Sequence, residues 1–425
     1  MNEYRVIKYT GGDFTVCVPG SKSITNRALT LAALSSGRCD LSGVLFSDDT
    51  RAFLSCLDHL GFEFSADEEK KTVSVLGTGG IIPKKSAEIN VRSAGTAARF
   101  MTVLLAFAGG EYVVRSSPQM EKRPMQPLIG ELEKAGVSFE FSGKEGHFPF
   151  ILRSDGIFVR EIAVDTQVRS QFASALLLSA SLTKNGLFIV PTGNRTAGSY
   201  IRNTETMLSE FGVAFEKRDG KYFIPPQKYS RSSYRIEPDF SAADYFFAAG
   251  ALLGVKAKVK GLSLSSMQGD KKFLGVLEQA GARVRQEEDG LVVEGTGRLS
   301  GVNVDMNDFS DQALTLAAIA PFASSPTTIE GIGHIRAQEC DRIHAIVHNL
   351  TKMGVKTQER ADGVTIFPCE KIEAASIDTF DDHRVAMAFA VAGLKCGNLT
   401  IKNPLCTSKT FENFFEVLEG MGKSE

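Results

Sequence analysis

The stretch Pro19–Gly37, PGSKSITNRALTLAALSSG, decides the fold. Its first half is a small-residue turn carrying Lys22, Ser23 and Arg27. Its second half, Ala28–Ser35, is apolar on nearly every side, which predicts a fully buried helix. A cationic, hydroxyl-bearing turn running into a helix N-terminus suits an anion. Unbonded backbone N–H groups and the positive end of the helix dipole point the same way as the side chains.

The pattern returns five times, as RSAGTAARFMTVLLAFAGG from Arg92, RSQFASALLLSASL from Arg169, FSAADYFFAAGALLG from Phe240, FSDQALTLAAIAPFA from Phe309 and DDHRVAMAFAVAGLKCG from Asp381. Counted from Gly20, the spacings are 72, 77, 71, 69 and 72 residues. After each apolar stretch comes a charged helix with a one-sided apolar stripe, closed by Gly61, Gly136, Gly212, Gly281, Gly354 or Gly422. Two markers in step over six cycles make an internal repeat. Each cycle reads as strand, buried helix, strand, amphipathic helix and two strands. Three of the strand pairs are expected to turn at Asp219-Gly220, Asp289-Gly290 and Asp362-Gly363.

Six α/β units exceed one core, so the expected division is three plus three, with Gln227–Pro238 as the hinge. The residues leave open which half takes the first strands; the expected domains are residues 1–19 with 239–425, and residues 20–238. Three buried helices per half are expected inside a ring of sheets. A net charge of −2 implies no polyanionic partner. The opening residues do not read as a signal peptide, and the apolar run Tyr245–Val255 is too short to span a bilayer. Seven scattered cysteines without a C-x-x-C pair predict a reducing, cytoplasmic setting and no disulfide framework; six histidines lack metal-ligand spacing.

Singly, the charged residues have ordinary explanations. Asp244 and Asp311 stand near the starts of the fourth and fifth buried helices, where an Asp is expected as an N-cap. Glu339 and Arg342 are spaced for an i,i+3 ion pair. Together they recur at one point of the repeat. Lys22, Arg27, Arg123, Arg342, Arg384 and Lys409 suffice for two anionic ligands, and Asp311 and Glu339 are then candidates for general base and acid. The cations divide between the halves, so like-charged faces are expected to repel when empty and to close on anions.

The strings PGSKSITNRAL, SAGTAARF, EKRPM, VRSQF, FSDQALTLAA, QECDR, DDHRVAMA and CTSKTF closely resemble those of the enolpyruvyl transferases, and within them the branch acting on shikimate 3-phosphate. The resemblance covers the whole chain. It implies two inside-out α/β barrels of three units each, closing on substrate. It implies transfer of the enolpyruvyl group of phosphoenolpyruvate to the 5-hydroxyl of shikimate 3-phosphate, without metal or organic cofactor, and glyphosate as an inhibitor. On the matching positions, Lys22, Ser23, Arg27, Arg169, Ser170, Gln171, Tyr200, His334 and Gln338 would hold shikimate 3-phosphate. Lys22, Gly95, Arg123, Gln171, Arg342, Arg384 and Lys409 would hold phosphoenolpyruvate. Asp311 would be the base on the 5-hydroxyl, Glu339 the acid that protonates the methylene carbon, and Lys22 would assist.

The chain departs from the family pattern at Ser93, Arg169, Ala197 and Gln338, where Asn, Ser, Ser and Lys are usual. The rival branch, acting on UDP-N-acetylglucosamine, carries a Cys in the loop that is here residues 115–123 and lacks one. A non-catalytic anion-binding protein of the same fold is the other alternative; the paired carboxylates speak against it. The expected partners are two small molecules, with no nucleic acid or membrane, and the expected state is a monomer.

Overall fold

The apolar stretches form six helices, Lys22–Leu34, Gly95–Ala108, Ser170–Ser179, Phe240–Leu253, Ala313–Ile319 and His383–Cys396, in a computed structural model that describes residues 2–166, 170–193 and 198–422. From Phe240 to Leu252 every residue is buried, so no face of that helix meets water. The fifth helix is shortest, because Pro321 cannot continue the α hydrogen-bond ladder and the chain tightens into a 3-10 turn at Ala320–Phe322. The second helices of the cycles bury one stripe, as their spacing predicts: Leu128, Ile129 and Leu132, or Ile343, Ile346 and Leu350. The glycines that close them all take positive φ, from 75° at Gly422 to 105° at Gly281, a conformation a side chain disfavours.

The chain divides into two compact units, Gly20–Ile236 and Met1–Pro19 with Glu237–Glu425. In the first, the helices Lys22–Leu34, Gly95–Ala108 and Ser170–Ser179 pack on one another; in the second, Phe240–Leu253, Ala313–Ile319 and His383–Cys396 do so.

Six sheets repeat one plan among the described residues. In the second cycle, Ser86–Asn90 runs parallel to Gly110–Arg115, with the buried helix as the crossover. Phe150–Ser154 pairs antiparallel with Gly110–Arg115, and Ser138–Phe141 with Phe150–Ser154. In the sixth cycle Glu3–Arg5 pairs antiparallel with Leu399–Lys402, at the place taken in the second cycle by Phe150–Ser154. The first and fourth cycles exchange opening strands. Phe14–Val16 precedes the first buried helix but pairs with Lys256–Lys260 of the fourth cycle. Ser233–Arg235 precedes the fourth buried helix but pairs with Arg38–Ser42 of the first. Part of the expected hinge is therefore a strand.

Only one of the three expected Asp-Gly turns is such a turn. Asp219 and Gly220 both take positive φ and join Glu216–Arg218 to Lys221–Ile224 by a two-residue loop. Gly290 and Gly363 instead lie within strands, paired with Glu287 and Arg360. They are glycines because the neighbouring strand comes too close. A Cβ at Gly290 would lie 2.2 Å from the Val259 carbonyl oxygen, and one at Gly363 would lie 2.3 Å from that of Ile329.

The same constraint fixes the turn before Lys22. A Cβ at Gly20 would lie 1.9 Å from the Gly43 carbonyl oxygen, so the backbones must separate for any side chain to enter. Gly20→Ala is expected to destabilise the Gly20–Ile236 unit by about 1–3 kcal/mol, an overpacking cost, and to lower its melting temperature by about 2–12 °C. Calorimetry checks this; an unchanged transition would mean the turn yields without cost.

Candidate active site

In the Gly20–Ile236 unit, Lys22 is the first residue of its helix, and its Nζ lies 3.3 Å from Asp49 Oδ2. Asp49 is buried in the first turn of the helix Asp48–His59, where the helix dipole also favours a carboxylate. The Ser23 hydroxyl lies 3.4 Å from that of Ser21. Arg27 turns inward and is 1% exposed. It donates to Thr204 Oγ1 at 2.8 Å, to the Ser23 carbonyl at 2.8 Å, to Ser174 Oγ at 3.1 Å and to the Tyr200 carbonyl at 3.0 Å. Its guanidinium also lies over the Phe100 ring, 5.4 Å from the centroid. Four elements of the unit thus meet on one cation. Burial pushes its pKa down to about 10, which leaves it charged at neutral pH.

The helix Gly95–Ala108 begins at Ala94, which has no side chain to cap it. A Cβ on Gly95 would lie 3.0 Å from Arg99 Nη1 and 3.1 and 3.2 Å from Arg123 Nη1 and Nη2. Two guanidinium heads and an uncapped helix N-terminus therefore converge on one glycine, an arrangement that attracts an anion. Ser93 hydrogen-bonds Ser117 at 2.7 Å, and Ser117 caps the short helix leading to Arg123 by accepting from Met120 N. The departure at Ser93 thus fastens the arginine loop. Arg92 has φ 48°, backbone strain held at the entry to this helix. Ser170 is buried at the start of the helix Ser170–Ser179. Gln171 next to it has a buried Oε1 without a hydrogen-bond partner among the described residues. The Tyr200 carbonyl is taken by Arg27, Ser174 and Thr204. Arg169 and Ala197 lie outside the described residues.

In the other unit the site is a web around Arg342, which is 1% exposed. It donates to Asp382 Oδ2 at 2.7 Å, Asp311 Oδ1 at 2.9 Å and Glu339 Oε2 at 3.1 Å, and Gln338 Oε1 also accepts from it. Burial pulls its pKa down, but Asp382, Glu339 and Asp311 outweigh burial and hold it above the usual range. Arg384 Nη2 lies 2.8 Å from Asp311 Oδ2, and Lys409 Nζ lies 3.4 Å from Glu339 Oε1. His334 Nε2 lies 2.7 Å from Ser310 Oγ. Three cations here face three carboxylates. Among the described residues, each cation on which like-charge repulsion was expected in this unit has a carboxylate within ion-pair distance.

Neither Asp244 nor Asp311 is an N-cap. Asp239 caps Phe240–Leu253 by accepting from Ala242 N at 3.0 Å, and Asp244 lies inside the helix. Asp311 lies in the 3-10 turn Asn307–Gln312, which is kinked at Phe309. That turn frees its carboxylate to reach Arg342 and Arg384. Two participants escape a reading of the sequence. Asp49 looks like any acid opening a helix. Asp382 is quoted in the DDHR string, yet its part as partner of Arg342 and cap of Arg384 N, at 2.9 Å, appears only in space.

The fold and these clusters define a two-unit α/β chain with six repeated cycles and a group of cationic side chains in each unit. Residues 12–418 match the family profile described as EPSP synthase (3-phosphoshikimate 1-carboxyvinyltransferase), and the chain belongs to this family. A relative of that name from Trichormus variabilis is 42% identical over 405 residues, covering 95% of each chain. One from Sulfurovum is 38% identical over 419 residues, covering 98% of this chain and 97% of the relative. Among solved structures, EPSP synthase from Acinetobacter baumannii superposes with a TM-score of 0.81 at 22% identity, covering 99% of this chain and 98% of that one. The enolpyruvyl transferase NikO from Streptomyces tendae gives 0.77 at 16%, with the same coverage. At such identities these two likenesses concern the fold.

The geometry of Arg27 separates a structural cation from a ligand. Arg27→Met keeps the apolar stem but removes four hydrogen bonds from a buried charge. It is expected to destabilise the Gly20–Ile236 unit by about 2–4 kcal/mol in urea unfolding. Unchanged stability combined with lost phosphate affinity would mean instead that the guanidinium serves a ligand.

Proposed function

We propose that the chain adds the enolpyruvyl group of phosphoenolpyruvate to the 5-hydroxyl of shikimate 3-phosphate, giving 5-enolpyruvylshikimate 3-phosphate and phosphate. The observation that carries this, beyond family membership, is the pair Asp311 and Glu339, both held on Arg342, with Arg384 and Lys409 on their other oxygens. Two carboxylates interleaved with three cations can move protons beside a bound anion. A site built only to hold an anion gains nothing from carboxylates there.

In this reading Asp311 takes the proton of the 5-hydroxyl as its oxygen attacks C2 of phosphoenolpyruvate. Glu339 gives a proton to C3, and a tetrahedral intermediate forms. Glu339 then removes a proton from C3, the C2–O bond to phosphate breaks, and phosphate leaves with the proton that Asp311 had taken, which restores both carboxyls. Glu339 must begin protonated, yet its partners include Arg342 and Lys409. The phosphate and carboxylate of phosphoenolpyruvate compete for those cations. Their arrival removes the charges that stabilise an ionised Glu339 and so favours its acid form.

Lys22, Arg123, Gln171 and the uncapped helix at Gly95 are the phosphoenolpyruvate ligands contributed by the Gly20–Ile236 unit. Lys22, Ser23, Arg169, Ser170, Gln171 and Tyr200, with Arg27 bracing them, serve shikimate 3-phosphate; Asp311, His334 and Gln338 are assigned to the same substrate by the family pattern. Gln338 spends its carbonyl on Arg342, so its amide NH2 is the end a substrate can use. We read each unit as an inside-out α/β barrel, with three buried helices enclosed by three sheets, and the protein as a cytoplasmic monomer. Seven free cysteines agree with a reducing compartment, and among the described residues no helix is long and apolar enough to cross a membrane.

Phosphate release from phosphoenolpyruvate should require shikimate 3-phosphate and persist in EDTA. Release driven by UDP-N-acetylglucosamine, or activity lost on chelation, would overturn the assignment. Gly95→Ala pushes a methyl against Arg99 and Arg123 and should raise KM for phosphoenolpyruvate about 5- to 30-fold, equivalent to about 1–2 kcal/mol. Glyphosate inhibition should weaken with it. An unchanged KM in steady-state kinetics would remove Gly95 from the site.

A further inference from the structure

Arg384 is held from two directions. Its Nη2 carries two hydrogens. One serves Asp311 Oδ2 at 2.8 Å and the other Ser241 Oγ at 3.3 Å. The Ser241 hydroxyl gives its own proton to Asp270 Oδ2, on the 3-10 turn Gly269–Lys272. Three residues further along the helix of Ser241 lies Asp244, 0% exposed, and neither of its oxygens has a hydrogen-bond partner among the described residues. The reaction described above uses none of Ser241, Asp244 and Asp270.

A serine hydroxyl has one proton. While Asp270 accepts it, the Ser241 oxygen can only accept from Arg384, and the guanidinium is fixed. A proton on Asp270 removes the charge that polarises this relay and makes its carboxyl a competing donor. Ser241 is then a poorer acceptor for Arg384. We propose that Asp270 is a positioning residue, holding the Arg384 guanidinium against Asp311 through Ser241, so that the grip of Arg384 on an anionic substrate follows the ionisation of Asp270. This rests on the enolpyruvyl-transfer reading, in which Arg384 binds phosphoenolpyruvate.

The surroundings place that ionisation within a useful range. The helix Phe240–Leu253 presents Asp244, Tyr245 and its cap Asp239; the turn Asn307–Gln312 presents Asp311 and Asp308, the latter paired with Lys272. The helix His383–Cys396 presents Arg384, and Phe273–Gln279 carries Glu278. On the turn of Asp270 itself, Lys271 is bound to the carbonyls of Leu264 and Ser266. Burial and Asp311 push Asp270 up to about 7, against the pull of Arg384 and Ser241. Burial lifts Asp244 well above the ordinary carboxylate range, with Asp270 and Asp239 adding to it. Asp270 is therefore ionised above neutral pH, and its hold on Arg384 is lost as pH falls through about 7.

The test is KM and kcat for phosphoenolpyruvate at pH 6 and pH 8, in the parent and in Asp270→Asn, with thermal melting to confirm folding. Asparagine offers Ser241 an acceptor at every pH but cannot ionise. The substrates' phosphates ionise over a similar range, so the readout is the difference between variant and parent. In the parent, KM should rise about fivefold more from pH 8 to pH 6 than in Asp270→Asn, with kcat moving less. Ser241→Ala, which breaks the relay but keeps the carboxylate, should show the higher KM at both pH values, and Ser241→Thr should restore the parent's behaviour. If Asp270→Asn and Ser241→Ala keep the parent's pH dependence, the positioning role is overturned and enolpyruvyl transfer stands. If the parent releases no phosphate at pH 8, the functional reading fails and this inference falls with it.

Discussion

A helix apolar on every face has to be covered on every face. One sheet shields one side of a helix, so a stretch such as Phe240–Leu252, buried throughout, requires several layers around it. Each unit of this chain meets the requirement by packing three such helices on one another and giving each cycle its own sheet. The repeat is thus dictated by burial. One strand–helix–strand cycle could not hide its own helix, and three together can. The same packing brings helix starts to defined places, because a helix buried along its length meets solvent and ligand only at its ends. Lys22, Gly95, Ser170 and Arg384 all stand in the first turns of such helices.

Charge is organised differently in the two units. In Gly20–Ile236 the buried Arg27 is satisfied by neutral oxygens, and one carboxylate, Asp49, answers Lys22. A buried cation with neutral partners braces the helices and offers an incoming anion little competition. Around Arg342 every cation of the set has a carboxylate. An anion entering there would compete with internal partners, which costs affinity. On the reading proposed above, the first arrangement suits holding a ligand and the second suits moving protons. Both use arginine, but only the second places acids between the arginines.

The repeat was legible in the sequence because burial leaves a period and glycines mark helix ends; Gly61 through Gly422 all take the φ their position implies. Asp311, Glu339 and Arg342 were legible as charges crowded against apolar helices. Strand exchange was not, since Phe14–Val16 and Ser233–Arg235 look alike as short strands and only pairing tells them apart. Gly290 and Gly363 were misread as turn residues because a glycine needed for close strand approach has the same letter as one needed for a turn. Asp49, Ser241 and Asp270 were missed for a common reason. Each acts on a residue far away in the chain, and no spacing records that.

The exchange of opening strands sets an order of assembly during synthesis. Every strand of the Gly20–Ile236 sheets, including Ser233–Arg235, lies within one continuous segment, so that unit can be complete once its last residue has emerged. Phe14–Val16 is made before that segment, yet its partner Lys256–Lys260 arrives after the whole of it. At ribosomal rates of about 5–20 residues per second, the delay is on the order of 10–50 s. Glu3–Arg5 waits longer, for Leu399–Lys402. These two strands are made well before their partners, and for that interval their edges are open to whatever chaperone or neighbouring chain meets them.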